Sequence, residues 1–136
     1  MTTPYAKPVP EITADNRPFW EGCQRHELLL QQCTNCGHRR HTSPICPQCW
    51  ALQHTWVQAS GKGKVYTWIV VHQRYHRAFE PDLPYNVTIV ELEEGPRLVT
   101  NLVDIANDAI RPDLPVEVAW DDVTDEVTLP KFRPAG

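Results

Sequence analysis

Four of the five cysteines lie in two Cys-x-x-Cys pairs, and this pattern restricts the fold more than any other feature of the chain. The pairs are Cys33 with Cys36 and Cys46 with Cys49, and nine residues separate them. Each pair can hold a metal ion from a tight turn, and two such turns supply the four thiolates of a tetrahedral structural zinc site. The intervening segment is long enough for a short hairpin that brings the turns together. The spacing therefore predicts a zinc ribbon with these four ligands.

Disulfide bonds and a redox site are the alternative uses of such cysteines. Disulfides need an oxidising compartment, which we do not expect here, because no secretory leader precedes residue 30 and the cysteine count is odd. A thioredoxin-like site would use one pair beside a strand and a helix rather than two pairs. Iron suits the same thiolates, so the identity of the metal stays open. The fifth cysteine, Cys23, is predicted to be a buried helix residue.

Composition and charge limit the function classes. The apolar runs are too short to span a membrane, and a cytoplasmic location is expected. The net charge of −4 disfavours a general nucleic-acid binder. Residues 17–77 nevertheless hold eight basic and two acidic residues, whereas residues 78–136 hold four basic and thirteen acidic ones. The basic half could receive a phosphate-bearing small molecule or an acidic partner, or it could simply be solvated surface.

The order of patterns along the chain predicts a mainly β protein. Three prolines keep residues 1–14 extended, and a short helix follows, capped by Asp15 or Asn16. Phe19, Trp20 and Cys23 share one face of that helix, which could pack on the chain itself or on another subunit. We predict four segments: an extended N-terminal arm over residues 1–14, a docking helix over 15–27, the zinc ribbon over 28–59 and an OB-fold domain over 60–136.

Five short strands after Gly61 predict a small closed barrel, of which the OB-fold is the five-stranded version. Apolar alternation slips by one residue between Ile89 and Val90, which indicates a β-bulge there. Residues 104–115 are too few for the usual OB-fold helix, so we expect a single turn or none.

Several motifs together resemble a known family. They are the Phe-Trp-Glu-Gly sequence at residues 19–22, Leu-Leu-Leu-Gln-Gln-Cys at 28–33, the double cysteine ribbon, Glu-Gly-Pro-Arg at 94–97 and Lys-Phe-Arg-Pro at 131–134. This combination is similar to acyl-CoA-associated proteins that join a rubredoxin-like zinc ribbon to an OB-fold domain. The resemblance covers residues 17–134. It implies a non-catalytic or co-catalytic accessory subunit of a hetero-oligomer with a thiolase, a thiolase-like aldolase or an acyltransferase, or a fusion to a hydratase-like domain. We expect no turnover by the isolated chain.

Residues 72–79 form the segment best suited to bind coenzyme A. Arginines can bind phosphates and aromatic rings can stack on adenine; the candidates are Arg74, Tyr75, His76, Arg77 and Phe79. Contact with a protein partner and a structural role are the alternatives. A second candidate cluster for the ligand is formed by Arg39, Arg40 and His41, but solvated surface is the favoured interpretation there.

Two functions from different classes follow. The first is the accessory subunit, with Phe19 and Trp20 docking on the partner and with acyl-CoA bound during carbon–carbon bond cleavage or formation. No pairing of a nucleophile with a base is evident, and four protein ligands leave a zinc ion no open position for substrate. The second is a module that binds single-stranded nucleic acid, since OB-folds use stacking rings in a basic groove for that purpose. Tyr66, Trp68 and Tyr75 could supply rings, but the acidic second half opposes this function.

Overall fold

The computed structural model describes residues 5–136. Residues 5–136 form one short helix, eight strands and two 3-10 turns. In chain order these are α1 (Arg17–Gln24), β1 (Leu29–Cys33), β2 (Arg39–Arg40), β3 (His54–Gln58), β4 (Lys62–Val71), a 3-10 turn (Arg77–Asp82), β5 (Tyr85–Leu92), β6 (Arg97–Thr100), a second 3-10 turn (Asn107–Ala109), β7 (Pro115–Asp122) and β8 (Thr128–Pro134). The mainly β architecture predicted from the sequence is confirmed.

The segment before α1 has no regular structure over residues 5–13, while residues 1–4 of the predicted arm lie outside the described part of the chain. Asn16 is the N-cap of α1, but its side chain binds the preceding segment instead of the helix. Its Oδ1 accepts a hydrogen bond from the Thr13 N–H at 2.7 Å, and its Nδ2 donates to the Glu11 carbonyl at 3.0 Å. The cap thus fixes the direction from which the chain enters the helix.

Helix α1 packs on the chain's own body, against β1 and β8. Phe19 and Cys23 are buried and belong to the same apolar cluster as Leu30 and Phe132. Gly22 is needed for this approach, because a Cβ atom there would lie 2.8 Å from the Leu29 side chain and 2.9 Å from a backbone oxygen. The sequence left open whether this helix face packs on the chain itself or on another subunit. The part of the face that carries Phe19 packs on the chain itself.

The first sheet contains three antiparallel strands in the order β2-β1-β3 and forms the ribbon. The second contains five antiparallel strands in the order β6-β5-β4-β7-β8. This sheet curls until a parallel bridge between Leu102 and Phe132 joins its two edges. The strand order and the curling are those of an OB-fold. The connection from β6 to β7 contains only the second 3-10 turn, as expected from its length.

A β-bulge interrupts the β4–β5 ladder at the Ile89–Val90 step, as the sequence indicated, but the extra residue belongs to β4. Val65 pairs with Val90 and Thr67 pairs with Ile89, so Tyr66 is the extra residue. Strand β5 alternates without a break between half-buried and buried positions. The apparent slip within β5 itself arises because two of its inward positions are occupied by polar residues, which apolar alternation cannot detect.

Those inward polar residues are Asn86 and Thr88, and they form a hydrogen-bond network inside the barrel. Asn86 Nδ2 donates to the Leu102 carbonyl at 3.0 Å, and Asn86 Oδ1 accepts from the Leu102 N–H at 2.7 Å and from Thr88 Oγ1 at 2.8 Å. One amide therefore satisfies both backbone groups of Leu102, where the barrel closes. Asn107 adds a weaker contact at 3.3 Å.

Replacing Asn86 with alanine should destabilise the barrel strongly. The Asn86→Ala variant leaves the Leu102 N–H and carbonyl buried without partners, so the free energy of unfolding should fall by about 2–4 kcal/mol. The control Asn107→Ala should lose about 1 kcal/mol or less. Denaturant titration of both variants measures the difference in the free energy of unfolding. Equal losses in the two variants would show that the Asn86 network does not stabilise the closure of the barrel at Leu102.

Candidate metal centre and ligand surfaces

The two cysteine pairs occupy turns with the same backbone design. The N–H of Gly37 donates to the Cys33 carbonyl at 2.9 Å, and the N–H of Trp50 donates to the Cys46 carbonyl at 2.9 Å. Both donors have positive φ, of 77° and 66°. Glycine adopts this conformation without strain, whereas tryptophan rarely does. The two turns are therefore equivalent in backbone, although the sequence signals the special conformation only in the first.

The four sulfur atoms converge at the open end of the ribbon. Their Sγ atoms all lie within 4.8 Å of one another. Sγ of Cys33 is 3.5 Å from Sγ of Cys49, and Sγ of Cys36 is 3.6 Å from Sγ of Cys46, so the two turns interleave. A tetrahedral zinc ion with Zn–S bonds of about 2.3 Å requires sulfur atoms about 3.8 Å apart. The donor set and its spacing fit structural zinc.

Backbone and side-chain donors around the site favour thiolates. The pKa of Cys33 is lowered mainly by the Cys36 N–H, and the pKa of Cys49 mainly by the Asn35 side chain. The pKa of Cys36 is instead raised to about 12, despite the His38 N–H, because burial and the neighbouring sulfur atoms disfavour a fourth negative charge. A divalent cation offsets this repulsion, which is how metal binding and folding of such a ribbon become coupled.

Cys23 lies apart from this cluster, on the buried face of α1. Burial raises the pKa of its thiol to about 12, so it is a protonated packing residue. Its place in the helix agrees with the sequence interpretation.

The family of the chain follows from comparison with known proteins. Residues 20–55 match the family described as "ChsH2, rubredoxin-like zinc ribbon domain", and residues 56–121 match "ChsH2, C-terminal OB-fold domain". The chain belongs to this ChsH2 and DUF35 family. Its resemblance to proteins with a zinc ribbon and an OB-fold is thereby confirmed.

Curated relatives come from bacteria and archaea. A "Probable enoyl-CoA hydratase alpha subunit" of Thermomonospora curvata is 45% identical over 130 residues, which is 95% of this chain but 40% of the relative. A "DUF35 domain-containing scaffold protein" of Methanocaldococcus jannaschii is 37% identical over 99 residues, covering 71% of this chain and 70% of the relative. The chain thus spans about two fifths of the hydratase subunit and most of the scaffold protein.

Two solved structures share the fold. The structure described as "Ltp2-ChsH2(DUF35) aldolase" superposes with a TM-score of 0.84 and 45% identity, covering 94% of this chain and all of that one. A DUF35 protein of unknown function from Sulfolobus solfataricus superposes with a TM-score of 0.62 at 9% identity, which shows the fold alone.

The candidate coenzyme A segment, residues 72–79, connects β4 to β5, and part of it is held by internal contacts. Arg74 pairs with Glu80 at 3.1 Å, and the His76 Nδ1 accepts the Ala78 N–H at 3.0 Å. The Phe79 ring lies 5.5 Å from the Tyr85 ring. The other two candidates, Tyr75 and Arg77, are exposed, with Tyr75 at 76%.

The two residues predicted to dock on a partner differ in exposure. Phe19 is only 2% exposed and packs edge-to-face on Trp20 and His41, so it belongs to the core and offers no surface to another chain. Trp20 is half-buried and retains accessible area. The correction arises because the helix face that looked free in the sequence is covered by the ribbon and the barrel.

Sequence reasoning missed an apolar group around the second cysteine turn. Ile45, Trp50 and Leu52 are all exposed, Trp50 at 79%. Large exposed apolar side chains within eight residues of one another favour an interaction surface. The predicted solvation of Arg40 was also wrong, because its side chain is buried under the junction of the ribbon with the barrel. Helix α1 is too short and polar to cross a membrane, and over residues 5–136 no other α-helix occurs.

Metal analysis should find one zinc ion per chain, bound by the four clustered cysteines. The Cys46→Ser variant should lose most of the metal and unfold the ribbon, since site assembly supplies folding energy of about 10–16 kcal/mol in zinc-finger peptides. Cys23→Ala is the matched control and should keep the full metal content. Elemental analysis with circular dichroism tests this; full zinc occupancy in Cys46→Ser would contradict it.

Proposed function

We propose that the chain is an accessory subunit, without turnover of its own, of a thiolase-superfamily enzyme that cleaves or forms carbon–carbon bonds in acyl-CoA substrates. The observation that carries the proposal is the likeness to the protein in the Ltp2-ChsH2(DUF35) aldolase structure, which extends over the whole of that chain at 45% identity. The relatives described as scaffold proteins support an assembling role. The hydratase subunit names support an acyl-CoA context, in a longer polypeptide.

The chemistry of the metal centre supports a structural role. Four cysteine ligands complete the tetrahedral shell of a zinc ion, and a catalytic zinc site instead keeps one position for water or substrate. We propose that the ion holds the ribbon in a rigid shape that the partner recognises. Affinity purification of the tagged chain after co-expression with a thiolase-like enzyme from the same genome tests the assembly. Purification of the tagged chain without that enzyme would contradict the proposal.

We further propose that the partner contacts the knuckle patch, defined as Ile45, Trp50 and Leu52, together with Trp20. Large exposed aromatic side chains contribute a disproportionate share of binding energy at interfaces. The patch lies on the second cysteine turn, whose conformation the metal would fix. Rigid presentation reduces the entropic cost of association.

Truncating the patch should weaken the complex without unfolding the subunit. Trp50→Asn suits this test, because asparagine tolerates the positive φ of this position. The dissociation constant should rise by about tenfold or more, as expected for loss of an aromatic contact worth at least 1.4 kcal/mol. Val99→Thr removes an equally exposed apolar residue (73%) from the outer face of the barrel and is the control. Surface plasmon resonance measures both, and an unchanged Trp50→Asn affinity would exclude the patch.

For acyl-CoA we propose contact with residues 72–79, through Arg74, Tyr75, His76, Arg77 and Phe79. Arg77 and Tyr75 are exposed, while Arg74 would have to exchange Glu80 for a phosphate. The contacts of His76 and Phe79 hold the segment in shape and would orient the other three.

The double variant Arg74→Gln and Arg77→Gln should raise the KM for acyl-CoA in the complex. Loss of charge-assisted hydrogen bonds of about 1.5–3 kcal/mol each predicts an increase of at least tenfold with little change in kcat. Arg111→Gln, an exposed arginine on another loop, is the control. Steady-state kinetics of the complex measures this KM. An unchanged KM would assign this segment a structural or partner-binding role.

A further inference from the structure

A cavity of about 610 Å³ lies at the junction of the ribbon with the barrel. Its walls are residues 37–41, which include strand β2, and residues 94–97, which form the turn from β5 to β6. Neither the metal centre nor the segment 72–79 contributes to it. Three polar side-chain atoms buried beneath its surface have no hydrogen-bond partner among the described residues.

Arg40 is the first of these groups. Its side chain is 5% exposed, and its Nε and Nη2 both donate to one acceptor, the Ser43 carbonyl, at 3.3 Å. Its Nη1 is buried without any partner, and within residues 5–136 the guanidinium forms no salt bridge. A buried charge without a counter-ion is strongly destabilising. Arg40 therefore requires an anion. Its hydrogen bonds to Ser43 are long, which allows the guanidinium to shift slightly and contact an anion bound in the cavity.

Glu94 faces the same cavity from the opposite wall. Its Oε2 accepts the Ser60 N–H at 2.8 Å, whereas its Oε1 is buried without a partner. A carboxylate oxygen can only accept, so Glu94 requires a donor. His41 Nδ1 is a third buried atom without a partner, and burial lowers the pKa of this imidazole, which favours its neutral form.

The remaining charged groups make the cavity mostly cationic. Arg39 and Arg97 line it and are exposed, and His38 adds a further imidazole. Arg97 lies over the Tyr66 ring at 3.8 Å and pairs with Glu91 at 3.5 Å, so its position is fixed. Three arginines and Glu94 thus line the cavity, and Arg97 is also paired with Glu91 just outside it.

A ligand that fits must combine an anionic group with a hydrogen-bond donor. Inorganic phosphate would satisfy the arginines but would be repelled by Glu94. A nucleoside phosphate carries phosphate oxygens for arginine, and it also carries ribose hydroxyls and, in adenosine, an exocyclic amine for the carboxylate. We propose that the junction cavity binds a nucleoside phosphate, with Arg40, Arg39 and Arg97 on the phosphate and Glu94 on the nucleoside.

This site is separate from the acyl-CoA segment of the proposed function. Strand β5 begins beside that segment at Tyr85 and ends beside the cavity at Leu92. Seven residue steps of about 3.3 Å separate the two by about 23 Å. The inference therefore stands on its own and does not require a partner enzyme.

Calorimetric titration of the zinc-loaded chain tests the proposal. The probes are adenosine 3′,5′-bisphosphate, ATP, adenosine and inorganic phosphate. Adenosine 3′,5′-bisphosphate or ATP should bind saturably, and adenosine and inorganic phosphate should each bind at least about tenfold more weakly, since each offers half of the required groups. Tighter binding of the bisphosphate would identify the cavity as a second site for the nucleotide portion of coenzyme A, distinct from residues 72–79, and tighter binding of ATP would identify a free nucleotide as the ligand.

Variants assign the binding to the cavity. The double variant Arg39→Gln and Arg97→Gln changes exposed side chains only and should weaken the better nucleotide by about tenfold or more. Glu94→Gln keeps an acceptor for Ser60 and should weaken the nucleotide but not inorganic phosphate. Arg74→Gln with Arg77→Gln, and Arg111→Gln, should leave this binding unchanged.

Several results would overturn the proposal: no saturable binding at millimolar nucleotide, equal affinity for inorganic phosphate, or full affinity in the Arg39 and Arg97 double variant. Thermal unfolding and zinc content of each variant confirm that the fold is intact. The proposed function is tested separately, by complex formation with the partner enzyme. Nucleotide binding in the cavity and the accessory-subunit function can therefore fail independently.

Discussion

Convergence of four cysteine sulfur atoms is the constraint on which the rest of this small protein depends. The ribbon has three short strands, one of only two residues, and two turns, which bury too little apolar surface to fold alone. A tetrahedral metal site supplies the missing folding energy and fixes both turns at once. One of these turns forces a tryptophan into a left-handed conformation and holds its ring in solvent. An exposed tryptophan ring adds little to the stability of the fold, so its exposure favours a role in function.

The rigid ribbon is coupled to the barrel through shared packing. Phe19, Cys23 and Leu30 lie in one apolar cluster with Val90 and Phe132, so the helix, the ribbon base and the barrel have a common core. Polar contacts reinforce the connection at the far end of the helix. His26 binds Asp122 at 3.0 Å and stacks on Trp120, and Gln24 reaches the Asp125 carbonyl at 3.1 Å. Surfaces on the ribbon and on the barrel are therefore presented at a fixed geometry.

The parts of the fold that depend on local spacing could be predicted from the sequence. The Cys-x-x-Cys turns and the short connection before β7 follow from neighbours in the chain, and the structure has both. Features that depend on distant contacts could not be predicted. Asn86 is polar yet faces inward because Leu102, sixteen residues away, needs both of its backbone groups satisfied, so the alternation of β5 could not show that the extra residue of the bulge lies in β4. Phe19 and Arg40 were assigned to the surface because no local signal shows that other segments cover them.

We propose that the chain assists a thiolase-like enzyme and performs no chemistry of its own. The most direct measurement compares acyl-CoA turnover by the zinc-loaded chain alone, by the partner enzyme alone and by the reconstituted pair. The account predicts no turnover by the chain and a rate for the pair well above that of the enzyme alone. Turnover by the isolated chain at an enzymatic rate, or an equal rate with and without it, would contradict the account.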